Sequence, residues 1–151
     1  SFSETTSVGV YVDAGVRNET PETRGATALL EQLTQTGTAK RPVAKLGAEI
    51  ESMGAALDVS YGREHSCFTM NVFNKDLAQG VDILGDLVTA PGLANLDKEK
   101  ANLMRKIEET EAPTRQVIDD RLHACAFRDC SLGYNTVGPV ENMENLTQAH
   151  L

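Results

Sequence analysis

Glu31 is the residue whose neighbours most nearly define a chemistry. In the stretch Gly25-Ala-Thr-Ala28-Leu-Leu-Glu31-Gln32-Leu33 it lies three positions after Ala28 and one before Gln32. On a helix, Ala28 and Gln32 share a face one turn apart, with Glu31 beside them. Imidazoles at those two positions would hold a divalent metal, and the carboxylate would activate a metal-bound water for hydrolysis. Neither imidazole is present. Alanine has no donor atom, and a neutral amide oxygen is a poor zinc ligand. Without a metal to acidify water, Glu31 has no nucleophile or electrophile to serve, and it reads as a structural carboxylate.

Other chemistries find less support. His65, His123 and His150 are the only histidines, and no two are four residues apart. They read as hydrogen-bonded or surface groups. No Ser-His-Asp or Cys-His set can be nominated from spacing. The glycines form neither of the common phosphate-cradling patterns. Cys67, Cys125 and Cys130 are three in number and include no C-x-x-C, so reduced structural thiols are expected. The net charge of -8 opposes binding to nucleic-acid phosphates and to anionic lipid. No apolar run approaches the roughly 18 residues of a membrane-spanning helix. Nothing offers heme or iron–sulfur ligands.

Several elements must position Glu31. Val8, Val10 and Val12 alternate with smaller or polar residues, a strand period. Pro21-Glu22 is expected to open the first helix, on which Ala26, Leu29, Leu30 and Leu33 form an apolar stripe closed by Gly37. Pro42 begins a second helix carrying Val43, Leu46, Ile50 and Met53, with Gly54 just beyond it. Leu57, Val59 and Tyr61, then Phe68, Met70 and Val72, alternate on either side of Gly62-Arg63-Glu64-His65 and predict a hairpin. Leu77, Val81, Leu84 and Val88 mark a third helix, ending near Pro91-Gly92. A charged fourth helix runs from about Asp97 to Glu111, with Pro113 breaking it, and Val117, Ile118, Leu122 and Cys125 mark a fifth. Residues 130–145 read as loop, and Thr147 as the cap of a helix just begun. This order is α+β. No internal repeat or domain boundary interrupts it, and 151 residues with 40% hydrophobic content can bury a sizeable core.

The wider pattern resembles one family. Asp13-Ala14-Gly15-x-Arg17-x-Glu19 precedes the Glu31 helix, and Gly37-Thr38-x-x-Arg41-Pro42 follows it. Glu49-Ile-Glu51-Ser-Met-Gly54, Gly62-Arg63-Glu64-His65, Lys75-Asp76-Leu77, Leu122-His123-Ala124 and Gly138-Pro139-x-Glu141-Asn142 come in order. Together they resemble the inverted-zincin (pitrilysin-like) peptidases over essentially the whole chain. Within that family the likeness is to the branch holding the mitochondrial processing peptidase beta subunit and the core I subunit of the cytochrome bc1 complex.

The resemblance implies an α+β fold, a mixed sheet with helices packed on one face. It implies that residues 1–151 form one processing-peptidase-like domain, the first part of a longer chain. Alignment through Asp120 and His123 puts the family's third zinc ligand at Lys106 and an outer carboxylate at Glu99; a slipped alignment puts Glu108 or Glu109 at the ligand position. Ala28, Glu31, Gln32 and Lys106 would then be the vestiges of a zinc site, with no metal or other cofactor, and Glu31 would pair with Lys106. The implied role is that of a non-catalytic scaffold in ubiquinol–cytochrome c reductase, respiratory complex III. It would sit on the matrix side of the mitochondrial inner membrane, peripheral to it, beside a core II or alpha-type homologue and the cytochrome bc1 redox subunits. The alternative is a non-catalytic partner in a soluble mitochondrial processing peptidase.

Overall fold

A computed structural model describes residues 3–93, 95–109 and 115–151, the side chains of Glu108 and Glu109 excepted. Its sheet has three strands, β1 (Thr5–Val12), β2 (Ala56–Tyr61) and β3 (Ser66–Phe73), in the order β1-β3-β2. β3 is central because it pairs on one edge with β1, Val10 opposite Phe68, and on the other with β2, Val59 opposite Phe68. Both pairings are antiparallel. The α+β class therefore holds, but these strands form a wholly antiparallel sheet where a mixed one was expected. The tight hairpin returns β3 against β2, and β1 joins the far edge of β3 in the opposite sense, so no parallel pair arises.

The period of two sorts each strand onto two faces. Ser66, Phe68, Met70 and Val72 of β3 are buried, whereas Asn71 and Phe73 of the opposite face are exposed. Helices α2 (Val43–Ser52) and α3 (Leu77–Thr89) supply Leu46, Ile83, Leu84 and Leu87 to the core containing Met70 and Val72. Burying each such large side chain contributes about 1.5–3 kcal/mol. Gly80 of α3 lies over this face; a Cβ there would come within 3.1 Å of Met70 Sδ. Val81, one of the apolar residues whose spacing marks this helix, is 49% exposed.

A second core joins α1 (Ala26–Thr34), α4 (Leu96–Glu109) and α6 (Val140–Asn145) through Leu29, Leu33, Leu103, Met143 and Leu146. Helix α6 lies inside the stretch expected to be loop. Six residues are too few to display a helical period, yet Met143 is completely buried. Helix α1 also begins later than Pro21-Glu22. Thr20 and Thr23 exchange backbone-to-hydroxyl hydrogen bonds in a turn, and Gly25, at φ 98°, makes the entry. The Glu19 carboxylate accepts from the backbone N–H of Gly25 at 3.0 Å and of Thr27 at 2.8 Å. An anion at a helix N-terminus satisfies donors that the helix itself leaves unpaired.

Helix α5 (Arg115–Ala126) has no buried residue, and its Ile118 and Leu122 are 57% and 62% exposed. Helix α4 begins at Leu96, one residue before the expected start; Glu111 and Pro113 lie outside the described residues. At the other end of the described chain, Thr147 precedes a 3-10 turn, Gln148–His150, and its N–H donates to His150 Nδ1. No described helix is long and apolar enough to cross a membrane.

Candidate functional site

Three of these helices, the end of β2 and one loop line a half-open cavity of about 670 Å³. Its lining includes Ala28, Glu31 and Gln32 from α1, Lys106 from α4, and Gln116 and Asp120 from α5. Four of the residues expected to form the site are therefore brought together. Glu99 is not among the lining residues; it accepts a hydrogen bond from Asn102 Nδ2 at 3.1 Å. The alternatives Glu108 and Glu109 lie outside the described side chains.

Helical spacing explains the alignment on α1. Leu29 and Leu33 face the second core and are completely buried, which turns Ala28, Glu31 and Gln32 toward the cavity. From the facing helix, Lys106 Nζ donates to Gln32 Oε1 at 2.6 Å. Burial pushes the Glu31 carboxyl above its ordinary range, and the nearby Lys106 charge opposes that rise without cancelling it. The Lys106 hydrogen bond goes to Gln32, where pairing with Glu31 was expected.

These groups do not fit a divalent metal. Ala28 offers no donor, the Gln32 oxygen accepts from an ammonium, and Lys106 itself carries positive charge. Among the described residues no three His, Cys, Asp or Glu side chains come together as a ligand set. None of the three histidines lines this cavity. His123 Nδ1 lies 2.7 Å from the Asp119 carbonyl oxygen, and His150 belongs to its own turn. The three cysteines are free.

Much of the cavity wall was not nominated from sequence. Tyr61, from the end of β2, shares a hydrogen bond of 2.7 Å with Thr34 Oγ1. Burial raises its phenol pKa, the Thr34 bond counters this, and the Glu31 charge adds to the rise. Arg63, in the hairpin turn, forms an ion pair with Asp120 on α5. Asp120 also accepts from Thr136 N at 3.3 Å, and Thr136 Oγ1 accepts from Gln116 Nε2 at 2.9 Å. The loop that follows is pressed onto the start of α1: a Cβ on Gly138 would lie 2.6 Å from Gly25 Cα. Arg24 stacks over Tyr134, its guanidinium carbon 4.3 Å from the ring centre. The Arg63 and Asp120 pairing had no local sequence signal, since the two are distant along the chain. Only the closeness of Arg63 to the hairpin turn could have suggested it.

This arrangement of a strand, a site helix and a facing charged helix matches known proteins. Residues 1–140 match the insulinase family, peptidase family M16. The chain belongs to that family. Across 97% of its length it is 39% identical to the mitochondrial-processing peptidase subunit beta of Blastocladiella emersonii. Across its whole length it is 39% identical to the human cytochrome b-c1 complex subunit 1, mitochondrial. It spans 32% of each of these relatives, about a third of their length. Among solved structures, a protease from Helicobacter pylori superposes with a TM-score of 0.84 over 98% of this chain and 37% of that one. At 13% identity, that likeness concerns the fold alone. In this M16 chain the cavity between α1 and α4 contains a carboxylate, an amide and an ammonium.

Proposed function

We propose that this M16 chain is a non-catalytic core subunit of mitochondrial ubiquinol–cytochrome c reductase, over the third of such a subunit that it matches. One observation carries the reading: at the positions where metal ligands are expected, an amide and an ammonium are bonded to each other at 2.6 Å. Glu31 beside them has no metal-bound water to deprotonate. Ala28, Gln32 and Lys106 are, on this reading, the vestiges of a zinc site, and Glu99 an outer carboxylate that has outlived it.

The subunit's work is then assembly and support, next to a core II or alpha-type homologue and the heme- and iron–sulfur-bearing chains. It lies on the matrix side of the inner membrane. The 39% identity to the human cytochrome b-c1 complex subunit 1, mitochondrial, supports this reading. Residues 1–151 form one processing-peptidase-like domain of a longer chain.

Equal identity to a processing peptidase beta subunit favours a second reading, a non-catalytic partner in a soluble processing peptidase. Native fractionation of mild-detergent mitochondrial extracts separates the two. Co-migration of the chain with b- and c-type heme absorbance is expected. A soluble, heme-free assembly carrying presequence cleavage would replace the first reading with the second.

A further inference from the structure

The cavity does more than lack two imidazoles. Lys106 reaches from α4 to bond Gln32 on α1, beside a carboxylate already disfavoured by burial. We infer that the Lys106 cation lining this cavity opposes divalent metals there, so that restoring both imidazoles on α1 would not by itself restore a zinc site. A carboxylate and two histidines attract a divalent ion, but an ammonium held within the same cavity repels it. For two unit charges 4 Å apart in bulk water the interaction is about 1 kcal/mol. A divalent ion doubles it, so at that separation the repulsion alone weakens affinity by about 30-fold. In the unchanged protein the bond to Gln32 places the ammonium against the helix face that would carry the ligands; in variants with His at 32 the charge of Lys106 alone remains to oppose the metal.

The inference rests on the metal-free reading of the site, and the test separates the two. Zinc alone is equilibrated with four forms of the full-length protein: unchanged, A28H/Q32H, A28H/Q32H/K106M and A28H/Q32H/K106E. Bound metal is counted per chain after dialysis. The unchanged protein and the double variant are expected to retain none. K106M removes the charge without adding a ligand and should tighten zinc binding by about 30-fold over the double variant. K106E supplies a third ligand and should hold one zinc per chain. Stoichiometric zinc on the unchanged protein would overturn the metal-free reading itself. Equal affinity of the double variant and its K106M derivative, or no zinc on any form, would overturn the role of Lys106 alone. Circular dichroism and thermal melting identify any form that has failed to fold. Where the K106M form fails to fold, A28H/Q32H/K106Q takes its place and is read in the same way.

Discussion

Two charged clusters on this molecule use similar residues and come out oppositely. Around Arg41, the guanidinium bonds Glu49 at 2.8 Å and pairs with Asp82 and Asp86, while Lys40 adds a contact to Asp86 at 2.7 Å. The Arg41 and Asp86 side chains are only 12% and 5% exposed. Hydrogen bonding and charge from Arg41 hold the Asp82 carboxyl below its ordinary range. In the cavity, a cation is also close to a carboxylate, yet Glu31 is pushed the other way because burial outweighs Lys106. The Arg41 cluster ties α2 and α3 together with its charges satisfied, as structural ion pairs do. The Glu31 carboxylate is only partly offset by Lys106.

The comparison breaks first at Arg41. Replacing Arg41 with Met strands the buried Asp86 with only the exposed Lys40, and should lower the unfolding free energy by about 3 kcal/mol, measured by urea titration. A loss within experimental error would mean that the cluster is a surface decoration. Gly25→Ala tests the frame of the cavity. A Cβ there meets Met143 Cε at 2.2 Å and the backbone is already at φ 98°, so a loss of about 2 kcal/mol is expected in the same assay.

The two carboxylates should also give opposite pH slopes. Asp82 is depressed, so its contribution is present above the ordinary aspartate value of 3.8 and is lost as pH falls through its lower folded value. Asp82→Asn should therefore flatten the acid limb of the stability curve. Glu31 is raised, so stability declines as pH rises from its ordinary value of 4.5 through the higher folded value. Glu31→Gln removes that decline and should stabilise the protein at pH 7 by less than about 1 kcal/mol, because the group is only partly buried. A destabilised variant would show that Glu31 is satisfied after all. The smallest effect is expected from Lys106→Met: thermal stability stays within about 0.5 kcal/mol of the parent, while the Glu31 carboxyl rises further when followed by NMR titration. An unmoved Glu31 would remove the electrostatic link between them.

Local chemistry made several elements legible. Alternating valines marked β1, the Tyr61 and Phe68 neighbourhoods marked the hairpin, and the stripe through Leu29 and Leu33 marked α1. Helix α6 was hidden because Met143 and Leu146 announce no period over six residues. The start of α1 was misplaced because Glu19 caps it through space, from before the turn that Thr20 and Thr23 build. The outward stripe of α5 shows the converse failure: apolar spacing predicted a helix correctly but not a buried face.

What the sequence by itself determined is the absence of donors. Alanine at 28 and a neutral amide at 32 are facts of side-chain chemistry that no fold can alter. What only the tertiary structure decided is what occupies their place. Lys106 reaches Gln32 from a helix some 74 positions away, and Asp120 reaches Arg63 across 57. Such pairings arise because the packing of α1 against α4, and the docking of the 135–138 loop on Gly25, set which distant groups share a cavity; residue spacing along the chain carries no record of that.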